Sequence, residues 1–201
     1  MRKGAVIAMA GCAVVAIAAA VVVVQLREHG LSARDDPTLV EAIAARAMRH
    51  LALPAAERQR TNPIALDPAG LADARSHFAD HCALCHGNDG RGQTSIGKNL
   101  YPKVPDMTLP QTQQLTDGEL FSVITNGVRL TGMPAWGERT PLDDKESWLL
   151  VALIRHLTEL TPEQIEEMKE LNPKSRAELQ QEEAEKVFLE GRDPISRSAG
   201  P

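Results

Sequence analysis

The sequence predicts an all-α chain in which one small domain lies between helical extensions. Apolar residues recur every three or four positions over residues 69–82, 117–126 and 144–158, the spacing of one helical face. Proline and glycine interrupt the segments between these runs. The 201 residues divide into an N-terminal anchor (1–26), a helical connector (27–66), the central domain (67–158) and an acidic helical tail (159–201) that is expected to be partly disordered at its end.

Residues 1–26 are predicted to form a transmembrane anchor. Residues 4–24 carry no charge and would form a helix of about 32 Å, enough to span a bilayer core. Arg2 and Lys3 precede them, which predicts a cytoplasmic N-terminus with the remaining chain on the other side. Small residues at 16–20 also fit a cleaved signal peptide, but cleavage there would leave an exposed apolar end.

Cys12 suggests a third interpretation, a lipoprotein attachment site, because Ala10 and Gly11 precede it. The apolar sequence continues through residues 13–24, which fits a lipoprotein poorly and favours a buried bystander thiol. All three interpretations place the rest of the chain outside the cytoplasm.

The connector is predicted to contain an amphipathic helix ended by Pro54. Its other face carries arginines, including Arg46 and Arg49. Two roles stay open: a solvated helix that packs on the domain, or a basic helix near anionic lipid headgroups or a membrane partner. The apolar positions, spaced by four, are Leu39, Ile43, Ala47 and Leu51.

The most specific motif is Cys82-Ala83-Leu84-Cys85-His86, the attachment signature of c-type haem. Cysteines at i and i+3 lie on one helical face, so both thiols can reach the same porphyrin edge. His86 then reaches the iron from the same side. The sequence thus predicts one covalent haem c held by Cys82 and Cys85, with His86 as an axial ligand.

Two other site types fit the motif less well. A redox dithiol normally follows a strand, and no strand-like run precedes Cys82. A zinc site needs four ligands, and the sequence has no second cysteine pair. His77 and His81 lie on the wrong side of the motif for the usual zinc fingers.

Residues 69–158 resemble class I c-type cytochromes. Like members of that family, the chain has a helix before the motif, with an aromatic residue, Phe78, four positions before the first cysteine. Ala74 stands where many members have glycine, so the crossing of the terminal helices is expected to be kept but slightly wider. The glycine-rich loop 87–92 resembles the loop that passes under the porphyrin, and Arg91 either meets a propionate or is solvated.

The second axial ligand is expected to be a soft donor on a distant loop. Of six methionines, four lie outside the domain, which leaves Met107 and Met133. Met133 lies between Gly132 and Pro134, and this Gly-Met-Pro sequence resembles the family's axial-methionine loop. We predict that His86 and Met133 are the iron ligands and that Met107 packs at the haem edge.

Two further helices complete the predicted domain. Asp117 is a predicted N-cap, and the pair Asp143-Asp144 is predicted to cap the last helix. Leu153 replaces an aromatic residue common in the family, so Trp148 is expected to supply some of that packing. Trp136 is predicted to line the haem pocket or to bond a propionate. His156 is predicted to be a surface residue.

Charge restricts the partners. The formal net charge is −5, or −7 without the N-terminal Arg2 and Lys3, which disfavours nucleic acid. The acidic tail is predicted to begin a helix at Thr161 and either to clamp the domain or to steer a basic redox partner.

The resemblance implies a single-pass protein of a bacterial cytoplasmic membrane with its haem domain in the periplasm. It would carry single electrons between redox protein partners, without enzymatic activity or a small-molecule substrate. A haem c subunit of a dehydrogenase or terminal oxidase is the alternative, followed by a haem enzyme or sensor. A haem enzyme or a haem sensor would need an iron face that no protein ligand occupies.

Overall fold

The computed structural model describes residues 2–30, 32–138 and 140–189, and every regular element in these ranges is helical. The prediction of an all-α chain is therefore confirmed for them. The α-helices are α1 (Arg2–His29), α2 (Leu39–Ala52), α3 (Ala55–Arg58), α4 (Pro68–His77), α5 (Ala83–His86), α6 (Pro110–Gln113), α7 (Asp117–Asn126), α8 (Pro141–His156), α9 (Pro162–Lys169) and α10 (Arg176–Leu189).

The N-terminal helix α1 contains the apolar segment Gly4–Glu28, which is long and apolar enough to cross a membrane. Length and composition are the basis of this assignment, and an N-terminal signal sequence has the same properties. No part of the segment is buried by other parts of the protein. Cys12, on this segment, is exposed in the protein itself, so the predicted burial of its thiol depends on the bilayer and stays a prediction.

Several helices begin at a residue whose side chain caps the helix, and two of these capping residues differ from the predicted ones. Asp67 caps α4 as its side chain accepts a hydrogen bond from the Gly70 N–H at 2.6 Å. The caps of α7 and α8 are Thr116 and Thr140, not the aspartates predicted. Threonine hydroxyls already satisfy the third N–H of each helix, so the aspartates lie inside the first turn, where they complement the helix dipole.

The core forms where α4 crosses α8. Ala74 on α4 and Leu153 on α8 have no exposed surface, as expected for the closest part of a crossing. Trp148 is buried and stacks on Phe121 of α7, with ring centroids 4.2 Å apart. Trp148 therefore supplies aromatic packing between α8 and α7, and its expected compensation for Leu153 at the α4–α8 crossing stays a prediction.

A side-chain clamp joins α8 to the start of α7. The Arg155 guanidinium donates to the Asp117 carboxylate through Nε at 3.1 Å and Nη2 at 2.9 Å. It also donates to the carbonyls of Gln113 and Leu115, the latter at the C-terminal side of α6. Five donors in one planar group allow Arg155 to satisfy several acceptors that helix ends would otherwise leave free.

The connector attaches to the domain through α3 and the segment after it. Asn62 donates from its backbone N–H to Asp117 (3.3 Å) and from its amide to the Trp148 carbonyl (2.9 Å). Helix α3 lies directly on α7: a Cβ at Gly118 would lie 2.0 Å from the Glu57 carbonyl oxygen. In contrast, α2 has no buried residue, so its apolar face does not pack on the domain as one interpretation expected.

The tail divides into two parts. Helix α9 is capped by Thr161 as predicted, and its Met168 is 1% exposed within the core. Helix α10 has no buried residue. The expected disorder concerns residues 190–201, which lie outside the described residues.

The α3–α7 contact predicts an unusual response to substitution. Gly118→Ala should lower the free energy of unfolding by about 1–3 kcal/mol because the methyl group would overlap backbone that cannot rotate away. Alanine for glycine in a helix normally has the opposite effect. Urea unfolding of the full chain in mild detergent, followed by circular dichroism, measures the change.

Gly70→Ala is the matched control. A Cβ there would lie 3.1 Å from side-chain atoms of Asp67 and Leu149, which can move. A loss of stability as large in Gly70→Ala as in Gly118→Ala would contradict the proposed importance of the α3–α7 contact.

Candidate functional site

The motif lies on a helical segment whose geometry changes just before it. After α4 the chain forms one π-helical turn, Phe78–Cys82, and then α5. The Ala83 N–H bonds the Phe78 carbonyl, the i+5 pattern of such a turn. π-turns are rare and occur often at functional sites. Phe78 is buried, and Cys82 and Cys85 are half-buried with free thiols.

His86 ends α5, is half-buried, and has one ring nitrogen without a hydrogen-bond partner. Burial lowers the pKa of His86 to about 4, so its imidazole is neutral at physiological pH. Its Nδ1 is buried and has no hydrogen-bond partner. The nearest aromatic contact is with Phe78, whose ring centroid lies 6.5 Å away. A neutral imidazole with a free nitrogen is the form that coordinates a metal.

The Cys82 thiol has the opposite property to a reactive thiol of a redox dithiol. Burial, and to a smaller extent the neighbouring Cys85, raises the pKa of Cys82 to about 12. Nucleophilic or metal-binding cysteines usually have lowered pKa values. The environment of Cys82 therefore disfavours a reactive redox dithiol.

The loop that follows the motif folds back and forms hydrogen bonds with the last two residues of the motif. The Gly92 N–H donates to the His86 carbonyl at 2.7 Å, and the Thr94 hydroxyl donates to the Cys85 carbonyl at 3.0 Å. Gly87 has φ 72° and ψ 153°, a conformation essentially reserved for glycine. Arg91 is exposed and pairs loosely with Asp89 (3.8 Å).

The loop of Met133 is closed on itself and on α7. The Val128 N–H donates to the Met133 carbonyl at 3.1 Å, and the Met133 N–H donates to the Thr131 hydroxyl at 3.1 Å. The backbone N–H of Trp136 donates to the Ile124 carbonyl of α7 at 3.1 Å. Met133 is half-buried. The predicted rigid frame around Met133 is therefore present.

The Met133 loop is connected to the motif through the segment that contains Gly97 and Leu100. Leu100 lies against Gly132, where a Cβ would lie 2.8 Å from its side chain. Leu100 follows the 3-10 turn Gly97–Asn99, whose Gly97 lies against the Cys85 carbonyl. No local sequence pattern points to Thr94 or Leu100, because their contacts join segments distant in the chain.

Met107 has a different environment from Met133. It is 6% exposed and belongs to the core, and its N–H donates to the Gly90 carbonyl at 2.8 Å. Its own carbonyl accepts from Gln113, which also bonds Ile154. These bonds place Met107 in the packing beneath the glycine loop.

A row of three rings lies beside the motif. His77 stacks on His81 with centroids 4.7 Å apart, and His81 meets the Trp136 ring edge-on at 5.2 Å. Burial, and to a smaller extent the neighbouring His81, lowers the pKa of His77.

Within the described residues, no three His, Cys, Asp or Glu side chains form a metal cluster. Trp136 is half-buried, and His156 pairs with Glu159 at 2.9 Å.

The donor set fits haem c. Two free, half-buried thiols precede a half-buried imidazole that is neutral at physiological pH and whose Nδ1 has no hydrogen-bond partner. Thioether attachment uses two such cysteines, and iron ligation uses a neutral imidazole. No hydrogen bond from Nδ1 holds the His86 ring in an orientation that would prevent such ligation.

Comparison with known families agrees with this interpretation. Residues 69–154 match the family model described as cytochrome C oxidase, cbb3-type, subunit III. No curated protein matches the chain. The family match supports a c-type cytochrome domain and implies haem binding.

The Met133 loop depends on Gly127, which has φ 64° and ψ −170°. Gly127→Ala should destabilise the domain by about 1–3 kcal/mol because this conformation is essentially limited to glycine. A Cβ would also lie 2.6 Å from the Pro134 carbonyl carbon. Thermal unfolding of the full chain measures the effect.

Gly132→Ala, in the same loop, is the control because its Cβ would meet only the movable end of Leu100. The importance of backbone conformation at Gly127 would be contradicted if the two variants unfolded at the same temperature.

Proposed function

We propose that the protein is a membrane-tethered monohaem cytochrome c that carries single electrons between redox proteins. The half-buried imidazole of His86, whose Nδ1 has no hydrogen-bond partner, directly after two free thiols is the observation that carries the proposal. The family match over residues 69–154 supports it independently.

In this function the protein's residues would attach the haem, orient its iron ligands and shield it from water. Cys82 and Cys85 would attach haem c through thioether bonds, while His86 and Met133 would hold its iron. When bound, haem c supplies the one-electron couple. The Gly92 and Thr94 hydrogen bonds fix the end of the motif, and the loop bonds of Thr131 and Val128 fix Met133. Such preorganisation keeps the ligand positions similar in both oxidation states.

The surrounding residues exclude water from this region. Phe78, Ala79 and Ala83 are buried on the motif segment, and Met107 is buried beneath the following loop. Low solvent access is one factor that sets a haem reduction potential.

The proposed location is a bacterial cytoplasmic membrane, with α1 as the retained anchor and the haem domain in the periplasm. The apolar segment Gly4–Glu28 and the basic residues Arg2 and Lys3 before it support this orientation. Partners would then be redox proteins at or near that membrane surface.

A second candidate function is that of a haem subunit in a terminal oxidase complex. The description of the matching family, an oxidase subunit, favours it specifically. The same ligands and the same one-electron chemistry would serve both functions, and the difference is whether the protein remains bound to a complex.

Met133 ligation predicts an optical signature. In Met133→Ala, the weak sulfur-to-iron charge-transfer band of the oxidised protein should disappear, and carbon monoxide should bind the reduced protein. The unchanged protein should show the band and resist carbon monoxide, because both iron faces are occupied. Absorption spectra of the purified full chain measure both properties.

Met107→Leu is the matched control because it nearly conserves the volume of a buried methionine. Loss of the band in Met107→Leu, with retention in Met133→Ala, would reassign the ligand to Met107. Rapid carbon monoxide binding by the unchanged protein would contradict a closed electron carrier.

Complex membership has its own test. If the protein is an independent carrier, haem-stained native gels of gently solubilised membranes should show it migrating alone. Migration with oxygen-reducing activity in one large assembly would instead establish the oxidase-subunit function.

A further inference from the structure

Helix α2 presents an apolar face that no part of the described protein covers. None of its 14 residues is buried. The exposed fractions are 73% for Leu39, 76% for Val40 and 83% for Leu51. Ile43 and Met48 are also largely exposed. At 100° per residue these side chains occupy one half of the helix.

The first turn of α2 contacts the domain with its opposite side. Glu41 lies about 160° around the helix from Ile43, and its carboxylate lies near the side chain of Tyr101. Ala42, adjacent to Glu41, is half-buried, whereas the polar side is exposed beyond this turn. The domain therefore contacts α2 at the start of its polar side, which leaves the apolar side directed outward.

Both ends of α2 are attached to the domain. Before it, the Lys103 ammonium donates to the Ala33 and Arg34 carbonyls at 2.8 Å each. After it, Arg58 donates to the His50 carbonyl at 3.2 Å. Arg58 ends α3, which lies against α7 through Gly118. The outward direction of the apolar face is thus fixed by contacts at both ends.

The bilayer is the nearest apolar phase. The apolar segment of α1 ends at Glu28, and Leu39 begins α2. The intervening residues reach at most about 35 Å when extended, so α2 cannot lie far from the membrane surface. Arg46 and Arg49 lie at the polar side of the helix, where an interfacial helix carries its basic residues.

We propose that α2 lies in the interface of the bilayer that α1 spans. Its apolar face, formed by Leu39, Val40, Ile43, Met48 and Leu51, inserts among the lipids. Arg46 and Arg49 lie at the level of anionic phospholipid headgroups. This inference rests on the proposed retention of α1 as a membrane anchor.

The interfacial helix restricts how the domain is held. A free tether would let the domain sample many orientations, whereas α2 bonded at both ends holds it at the membrane surface. Its redox partners would therefore be proteins embedded in that membrane or bound to its surface.

Spin labelling of the full haem-loaded chain in phospholipid vesicles tests the proposal. In a Cys12→Ala background, a nitroxide is attached to Ile43→Cys on the apolar face or to Ala45→Cys on the opposite, exposed side. The vesicles contain a zwitterionic phospholipid with or without an anionic one. Collisions with oxygen, which dissolves in lipid, and with a water-soluble nickel chelate are measured by power saturation.

We expect a several-fold higher ratio of oxygen to nickel accessibility at Ile43 than at Ala45. The difference should decrease without anionic lipid because Arg46 and Arg49 lose their partners. Equal nickel accessibility at both labels would overturn the proposal. Exclusion of both reagents at Ile43 would also overturn it, since a protein would then cover the face.

Two readouts separate this inference from the proposed function. A normal reduced haem spectrum with a water-exposed α2 leaves the electron carrier intact and removes only the interfacial helix. Release of the protein from the vesicles by an alkaline wash would show that α1 is not an anchor, which removes the premise.

Discussion

The buried Nδ1 of the neutral His86 imidazole, which has no hydrogen-bond partner, is the constraint on which the site depends. An uncompensated buried polar group costs free energy, so the surrounding structure must supply stability from elsewhere. The α4–α8 crossing and the Trp148–Phe121 stack provide apolar burial next to the motif. In the proposed holoprotein a ligand bond from His86 would bind the folded domain only, which makes cofactor attachment and domain stability mutually dependent.

The same coupling extends to both loops. Gly92 and Thr94 bond the carbonyls of His86 and Cys85, while Leu100 reaches from that loop to Gly132 beside Met133. Two segments that approach a cofactor from opposite sides in the proposed function are therefore already connected through protein contacts. This arrangement resists movement of one ligand relative to the other, the condition for fast electron transfer with little reorganisation.

Local patterns predicted the helices and the motif because both depend on residues close in sequence. The helical runs, Pro68 at the start of α4 and the cap at Thr161 needed no distant information. Thr116 and Thr140 were missed because an aspartate one or more positions later also fits a helix start. Thr94, Gly118 and the outward face of α2 depend on long-range contacts, which spacing cannot reveal. The assignment of Met133 as a ligand remains a prediction.

The π-turn at Phe78–Cys82 has a consequence for how this chain can evolve. Because its hydrogen bonds span five residues, it accommodates one residue more than an α-helical turn. Five residues in a π-turn and four residues in an α-turn rotate the chain by nearly the same angle, so deleting a single residue there would restore regular helix and leave both thiols facing nearly the same direction relative to α4. The extra residue can therefore be gained or lost without changing the side of the helical segment on which the motif lies. Chains that lack one residue between Ala74 and Cys82 should still present both thiols to the same side.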